Sequence, residues 1–166
     1  MNSPTISIII PVFNVEKYVE ETLISVKKQS SRPDEVIIIN DGSTDDSFKI
    51  VKDLKDSDNW KIFETKNQGL GLTRNYGKSL AKGDYIYFLD SDDILDHNFI
   101  FDMQNLIKVY NQPDVILFSG KPFSNNKIAQ HKINLKFSID GQYFQKDRLL
   151  TNLVKKKETL PQASRY

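Results

Sequence analysis

Glu35–Asp41 reads EVIIIND, and Thr5–Pro11 reads TISIIIP. Each is a short apolar run, β-branched through its middle and closed by a polar or turn residue. Runs of this length, apolar on both alternating sides, are expected of strands buried on two faces, as in a parallel sheet. Working outward, Lys61–Thr65 is a weaker third strand, Asp84–Leu89 (DYIYFL) a fourth and Asp114–Phe118 (DVILF) a fifth. Helical spacing fills the intervals. Val15, Val19, Leu23 and Val26 recur between Val15 and Gln29, and Ser30–Pro33 ends that segment. Ser43 and Asp46 have capping-box spacing, with Asp in place of the usual Glu, and Phe48, Val51 and Leu54 form one face behind them. Leu72, Tyr76 and Leu80 supply the face of a third helix ended by Gly83. Phe99, Met103, Leu106 and Val109–Tyr110 supply a fourth that ends before Pro113. Strands alternating with helices predict βαβ units with right-handed crossovers: an α/β fold with an open, mostly parallel twisted sheet and helices on both faces. Beyond Gly120 the pattern weakens. Asn125–Gln142 has no clear period, and Tyr143–Val154 is expected to form one more helix.

The chain has 166 residues, enough for one compact domain that buries roughly 70% of its unfolded surface. It has no cysteine, which excludes disulfides, thiolate zinc sites and thiol catalysis. Met1–Thr5 lacks the basic lead and apolar core of a signal peptide, and no apolar run approaches the ~20 residues of a membrane-spanning helix. The net charge of +1 is unevenly spread. Residues 1–120 carry 13 Lys/Arg and 19 Asp/Glu, whereas residues 121–166 carry 10 and 3. The basic end is either a solvated lysine-rich stretch or a peripheral contact with anionic lipid headgroups or a phosphate-bearing acceptor. Nucleic acid is not expected as a partner, because the basic stretch has no recognition motif and the acidic front half would repel phosphates.

In open α/β sheets, ligands bind outside the carboxyl ends of the strands. Here polar and turn-forming residues follow each strand: Pro11–Asn14, then Asp41–Asp45, then Asn67–Gly71 with Arg74 slightly later, then Asp90-Ser91-Asp92-Asp93. That edge is the expected site. Three carboxylates within four residues repel one another and call for a counter-charge. A divalent cation such as Mg²⁺ supplies it, because hard ions take one or two carboxylates plus substrate phosphates. The plainer reading is an acidic turn before the helix near Asn98. Asp41-Gly42-Ser43 reads either as a turn with a helix cap or as part of the site. Phe13 suits core or ligand, Arg74 suits surface or a forked contact to a ligand, and Gly69 and Gly71 suit a loop or a close backbone approach.

Taken together, ISIIIPVFNVEKYVEETLISVKKQS, VIIINDGSTDDS and NQGLGLTRNYGKSLAKGDYIYFLDSDD resemble the family 2 glycosyltransferases of GT-A fold, a Rossmann-like nucleotide-diphospho-sugar transferase fold. The resemblance covers Thr5 to about Gly120. It implies a nucleotide-diphospho-sugar donor, often a UDP-sugar, transferred with inversion to a glycan or lipid-linked acceptor, and a Mn²⁺ or Mg²⁺ cofactor. By position it implies that Pro11 and Phe13 line the nucleoside pocket, Asp41 binds the uracil, and Asn67 and Arg74 hold the nucleotide. It gives Asp90 the ribose or the metal shell and makes Asp92 the metal ligand. Thr73 stands where the family more often has Ala. The family's setting implies surface-polysaccharide synthesis in the cytoplasm, at the inner face of the cell membrane.

Inverting transfer needs a general base within reach of the acceptor hydroxyl. Only Asp140, Asp147 and Glu158 follow residue 120, and no Glu-Asp pair is among them. The expectation is therefore a donor-binding core at residues 1–120 and the start of an acceptor-binding region at 121–166, with the base beyond the chain end. The alternative is a truncated or degenerate transferase that binds nucleotide-sugar or a partner without turnover. Other nucleotide folds fit worse. A nicotinamide dehydrogenase needs G-x-G-x-x-G after the first strand, and a P-loop NTPase needs G-x-x-x-x-G-K-[ST]; neither is present. A phosphoacceptor receiver needs an acidic pair after the first strand, and a haloacid-dehalogenase-type phosphatase needs its D-x-D there.

Overall fold

The computed structural model describes residues 3–120 and the backbone of strand segments between residues 123 and 155; side chains are described for residues 3–117. Its elements run β1 (Ile6–Val12), α1 (Val19–Lys27), β2 (Glu35–Asn40), α2 (Ser47–Leu54), β3 (Trp60–Glu64), α3 (Leu70–Leu80), β4 (Tyr85–Phe88), α4 (Phe99–Val109) and β5 (Val115–Gly120). They continue through β6 (Phe123–Ser124), β7 (Lys127–Ile128), β8 (Asn134–Ile139), β9 (Gln142–Asp147) and β10 (Leu149–Lys155). Six strands form one sheet in the order β3-β2-β1-β4-β10-β5. The four strands from β3 to β4 are mutually parallel, and β10 runs antiparallel to β4 and β5 on either side of it. Strands β6–β7 and β8–β9 form separate antiparallel pairs.

The open, mostly parallel sheet expected from the sequence is present, and its two faces explain the apolar runs. Every residue of β1 and of β2 is buried. Ile6, Ile8, Ile10, Val36 and Ile38 face one layer with Val19, Leu23 and Val26 of α1, Val51 of α2 and Ile100 and Ile107 of α4. Ile9, Ile37 and Ile39 face the other layer, with Ala81 after α3. Burial of each such side chain is worth about 1.5–3 kcal/mol, so these central strands hold the fold together.

The helix over Tyr143–Val154 is a correction. That segment is β9 and β10. β10 lies between β4 and β5 and supplies hydrogen bonds to the facing edges of both, which would otherwise leave backbone groups unpaired. A short apolar run such as LLTNLVK does not by its spacing distinguish strand from helix.

The face expected of α3 is a second correction. Leu72 and Tyr76 are exposed, Leu80 alone of the three packs against the core, and the stripe buried against the sheet is Thr73, Gly77 and Ala81. A Cβ on Gly77 would stand 2.4 Å from Ile9 Cγ2 and 2.9 Å from Ile39 Cδ1. The helix therefore approaches the sheet on its smallest residues, closer than a leucine stripe allows. On α4, Phe99, Ile100, Met103 and Ile107 are buried, while Val109 and Tyr110 at its end are exposed. Ser43 does not cap α2, whose Ser47 N–H donates to Asp45 Oδ1 at 3.0 Å. The helix expected from Val15 begins at Val19, after a turn in which Tyr18 N and Val19 N both donate to Val15 O. Among the described residues, no helix is long and apolar enough to cross a membrane.

Candidate active site

The loops after β1, β2 and β3 are laced together at the carboxyl edge of the sheet. Asn14 adopts a left-handed backbone (φ 51), a conformation asparagine tolerates better than most residues. Its N–H donates to Ser43 Oγ at 3.2 Å, and its Oδ1 accepts from Thr44 N at 2.8 Å. Ser47 Oγ accepts from Val15 N at 2.8 Å. Gly42 has φ 72, and a Cβ there would lie 2.9 Å from the backbone N of Asn67. Only glycine therefore lets the β3–α3 loop lie against the β2–α2 turn.

Asp41 fastens that loop. It is 3% exposed. Its Oδ1 accepts from Thr65 Oγ1 at 3.0 Å and from Gln68 N at 3.0 Å, and its Oδ2 accepts from Gly69 N at 2.9 Å. Burial pushes its pKa upward, but the N–H of Gln68, the hydroxyls of Thr65 and Thr73 and the N–H of Gly69 together outweigh burial and hold it below the usual carboxylate range. Asp41 is thus an ionised anchor beneath the start of α3. Gly69, in a glycine-specific conformation (φ 88), accepts from the Thr73 hydroxyl at 3.0 Å.

One turn into α3, Arg74 forms an ion pair with Asp90 at the end of β4. The guanidinium also lies over the Phe88 ring, 5.9 Å from its centroid. Its Nε is buried and has no hydrogen-bond partner. Asp41, the Gln68–Gly69 backbone, Arg74 and Asp90 form one connected series from β2 across α3 to β4.

The acidic segment turns immediately after that pair, where Asp93 N donates to Asp90 O at 3.0 Å. Asp92 and Asp93 are exposed. Desolvation first, then repulsion by Asp92 and Asp90, raises the Asp93 pKa above the ordinary value. The segment is held from behind by polar residues of α1 and its C-terminal turn. The Thr22 hydroxyl donates to Ser91 O at 2.9 Å, and Ser25 Oγ accepts from Leu95 N at 3.0 Å. Gln29 Nε2 donates to Asp96 O at 2.6 Å, and its Oε1 accepts from Ile100 N at 3.0 Å. Sequence reasoning passed over Thr22, Ser25 and Gln29. Their signal was polar residues at helical spacing on the same buried side as Leu23 and Val26.

The predicted site residues are placed as follows. Asp41, Arg74 and Asp90 belong to the connected series, and Asp92 follows two residues after Asp90. Asn67 is exposed, with its backbone against Gly42. Phe13 is 44% exposed just past β1, whose Val12 O accepts from Asp41 N at 2.8 Å. Pro11 is buried inside β1, paired in register with Ile39, and does not join the exposed rim. Asp140 and Glu158, the side chain of Asp147 and the side chains of the basic stretch from residue 121 onward lie outside the described residues.

Among the described residues, no three His, Cys, Asp or Glu side chains are grouped to hold a metal by themselves. The donor set still suits a hard cation that takes one or two carboxylates and completes its shell with substrate phosphate and water. Asp92 is exposed, unlike Asp41, and its neighbours make the locality strongly negative.

The chain matches the family described as "Glycosyl transferase family 2" over residues 7–159. It is 48% identical over 97 residues to an uncharacterized glycosyltransferase of Haemophilus influenzae, a match covering 57% of this chain and 39% of the relative. It is 35% identical over 123 residues to the glycosyltransferase GlyA of Streptococcus pneumoniae, covering 74% of this chain and 17% of the relative. The chain thus spans well under half the length of these relatives. Among solved structures it resembles S. aureus TarS 1-349 in complex with UDP-GlcNAc, with a TM-score of 0.68 and 31% identity over 80% of this chain and 39% of that one. A Pyrobaculum calidifontis mannosyltransferase in complex with GDP-Man and Mn²⁺ shares the fold, with a TM-score of 0.59 at 22% identity over 72% of this chain and 36% of that one. The sheet, the family match and these likenesses agree: the chain belongs to glycosyl transferase family 2 and has the GT-A fold.

Proposed function

We infer that residues 1–120 bind the nucleotide-diphospho-sugar donor of an inverting, metal-dependent glycosyltransferase, with a UDP-sugar as the first candidate. The observation that carries this reading is the series Asp41–α3–Arg74–Asp90, with Asp92 two residues further on. It gathers an anchored loop, a cation and an acid cluster on one sheet edge. Phe13 offers an exposed aromatic face to the base. Asp41 keeps the Gln68–Gly69 backbone in place, and its carboxylate is proposed to meet a base N–H at that edge. Arg74 has donors to share between Asp90 and the nucleotide, and its partnerless Nε suits that second contact. Asp92 would hold Mn²⁺ or Mg²⁺, with Asp90 in the ion's surroundings; such an ion neutralises a leaving diphosphate. The TarS likeness, solved with UDP-GlcNAc, supports the donor class.

The acceptor is proposed to be a glycan or lipid-linked hydroxyl in surface-polysaccharide synthesis at the cytoplasmic membrane face, with the basic residues of 121–166 meeting anionic headgroups. No described residue is assigned as the general base. Calorimetry of UDP with and without Mn²⁺ tests the reading. Binding strengthened by Mn²⁺ and stripped of that gain in Asp92→Ala is the expected result. Metal-independent UDP binding, or an unchanged Asp92→Ala response, removes Asp92 from the site.

A further inference from the structure

We propose that Thr22 of α1 is a positioning residue for the metal site: its hydroxyl fixes the peptide unit joining Ser91 to Asp92 and so aims the Asp92 carboxylate. The inference rests on the assignment of Asp92 as the metal ligand. Thr22 is fully buried on the face of α1 turned to the core, where a purely structural position would favour an apolar side chain. Its hydroxyl sits 2.9 Å from Ser91 O and 3.5 Å from Tyr18 O in its own helix. One hydroxyl proton serves one strong bond, and the shorter contact takes it. Ser91 O belongs to the peptide plane whose other end is the nitrogen of Asp92. Fixing that oxygen sets the backbone direction from which the Asp92 side chain leaves.

The contact belongs to a set. Ser25 Oγ donates to Thr22 O at 2.7 Å and accepts from Leu95 N, so the same helix holds the segment on both sides of Asp92 and Asp93. Gln29 closes the set at Asp96 and Ile100. All three side chains are at least nine-tenths buried. The exposed carboxylates thus project from a backbone clamped by buried bonds. Four neighbouring acids at 90, 92, 93 and 96 would otherwise drive the segment apart. Outer residues that orient metal ligands typically change metal affinity by 10–100-fold when removed.

The test compares Thr22→Val, which keeps the shape and loses the hydroxyl, with Thr22→Ser, which keeps the hydroxyl. UDP affinity is measured by calorimetry with and without Mn²⁺, and exchange of the Asp92 and Asp93 amides is followed in the metal-free protein. Thr22→Val is expected to lose about tenfold of the Mn²⁺-dependent gain, to leave metal-free UDP affinity within about twofold, and to speed amide exchange at 92–93. Thr22→Ser is expected to restore all three. A folded Thr22→Val protein with the full metal gain overturns the proposal, as does equal weakening with and without metal. If the parent chain shows no metal gain, the Asp92 assignment and this proposal fail together. A parent gain retained in Thr22→Val sinks the positioning role alone.

Discussion

Asp41→Asn is the most informative single change, because one atom's difference separates two acceptors from one. In the parent, Oδ1 takes two donors, Thr65 Oγ1 and Gln68 N, and Oδ2 takes Gly69 N at 2.9 Å. An asparagine keeps Oδ1 in place and turns its NH₂ toward the Gly69 N–H, donor against donor. The opposite flip is worse, since it sets NH₂ against the Gln68 N–H. One hydrogen bond to a charged acceptor is lost, and the Gly69 N–H is left facing another donor. Loss of such a bond costs about 1.5–3 kcal/mol. At this chain length that lowers the melting temperature by about 3–12 °C. Thermal unfolding followed by circular dichroism measures the total. Hydrogen exchange locates it, with faster exchange expected at Gly69 and through the first turn of α3. UDP affinity should fall as well, because the same helix turn carries Arg74. An Asp41→Asn protein with an unchanged melting temperature and unchanged protection at Gly69 refutes the anchoring role.

Four further outcomes follow from the same geometry. Asp41, Asp45 and Glu35 all ionise below the ordinary range, because hydrogen bonds to their charged forms (and Lys61 for Glu35) outweigh burial. Their stabilisation is fully present above the unfolded pKa of about 4 and is lost as pH falls through the lower folded values; urea unfolding should be flat near neutrality and weaken below about pH 4. Asp93 has the opposite sign, so Asp93→Asn should raise metal-free stability at pH 7 and make no difference once acid has protonated the parent side chain. Gly42→Ala should destabilise by about 1–2 kcal/mol from left-handed backbone alone, and more from the contact with Asn67 N; a urea midpoint equal to the parent's contradicts this. Arg74→Lys keeps charge but not the fork shared between Asp90 and ligand, and should weaken UDP binding about tenfold, a loss calorimetry reads directly.

The strands at Ile6–Val12, Glu35–Asn40 and Tyr85–Phe88 were legible because a strand buried on both faces leaves no polar alternation to confuse with anything else. The polar ends of those strands were legible for a related reason, since the sheet direction dictates which loops share an edge. Helix faces were harder to read. Leu72, Tyr76 and Leu80 offered an apolar stripe, yet of these only Leu80 packs against the core, and Thr73, Gly77 and Ala81 form the buried stripe. Periodicity reports that a stripe exists; the distance between backbones decides which stripe fits. Likewise Ser43 and Asp46 had the spacing of a cap, but the β1–α1 loop claimed Ser43 through Asn14.

The amino-acid order alone determined the parallel sheet, the family resemblance and the sheet edge on which the acids gather, because these depend on local runs and on residues adjacent in the chain. Tertiary structure decided that Asp41 is a loop anchor, that Arg74 meets Asp90 and that Thr22, Ser25 and Gln29 grip the acidic segment from behind. Those contacts join residues 16–71 positions apart. No local pattern encodes them, since each hydrogen bond exists only once the two elements that bear its donor and acceptor have packed.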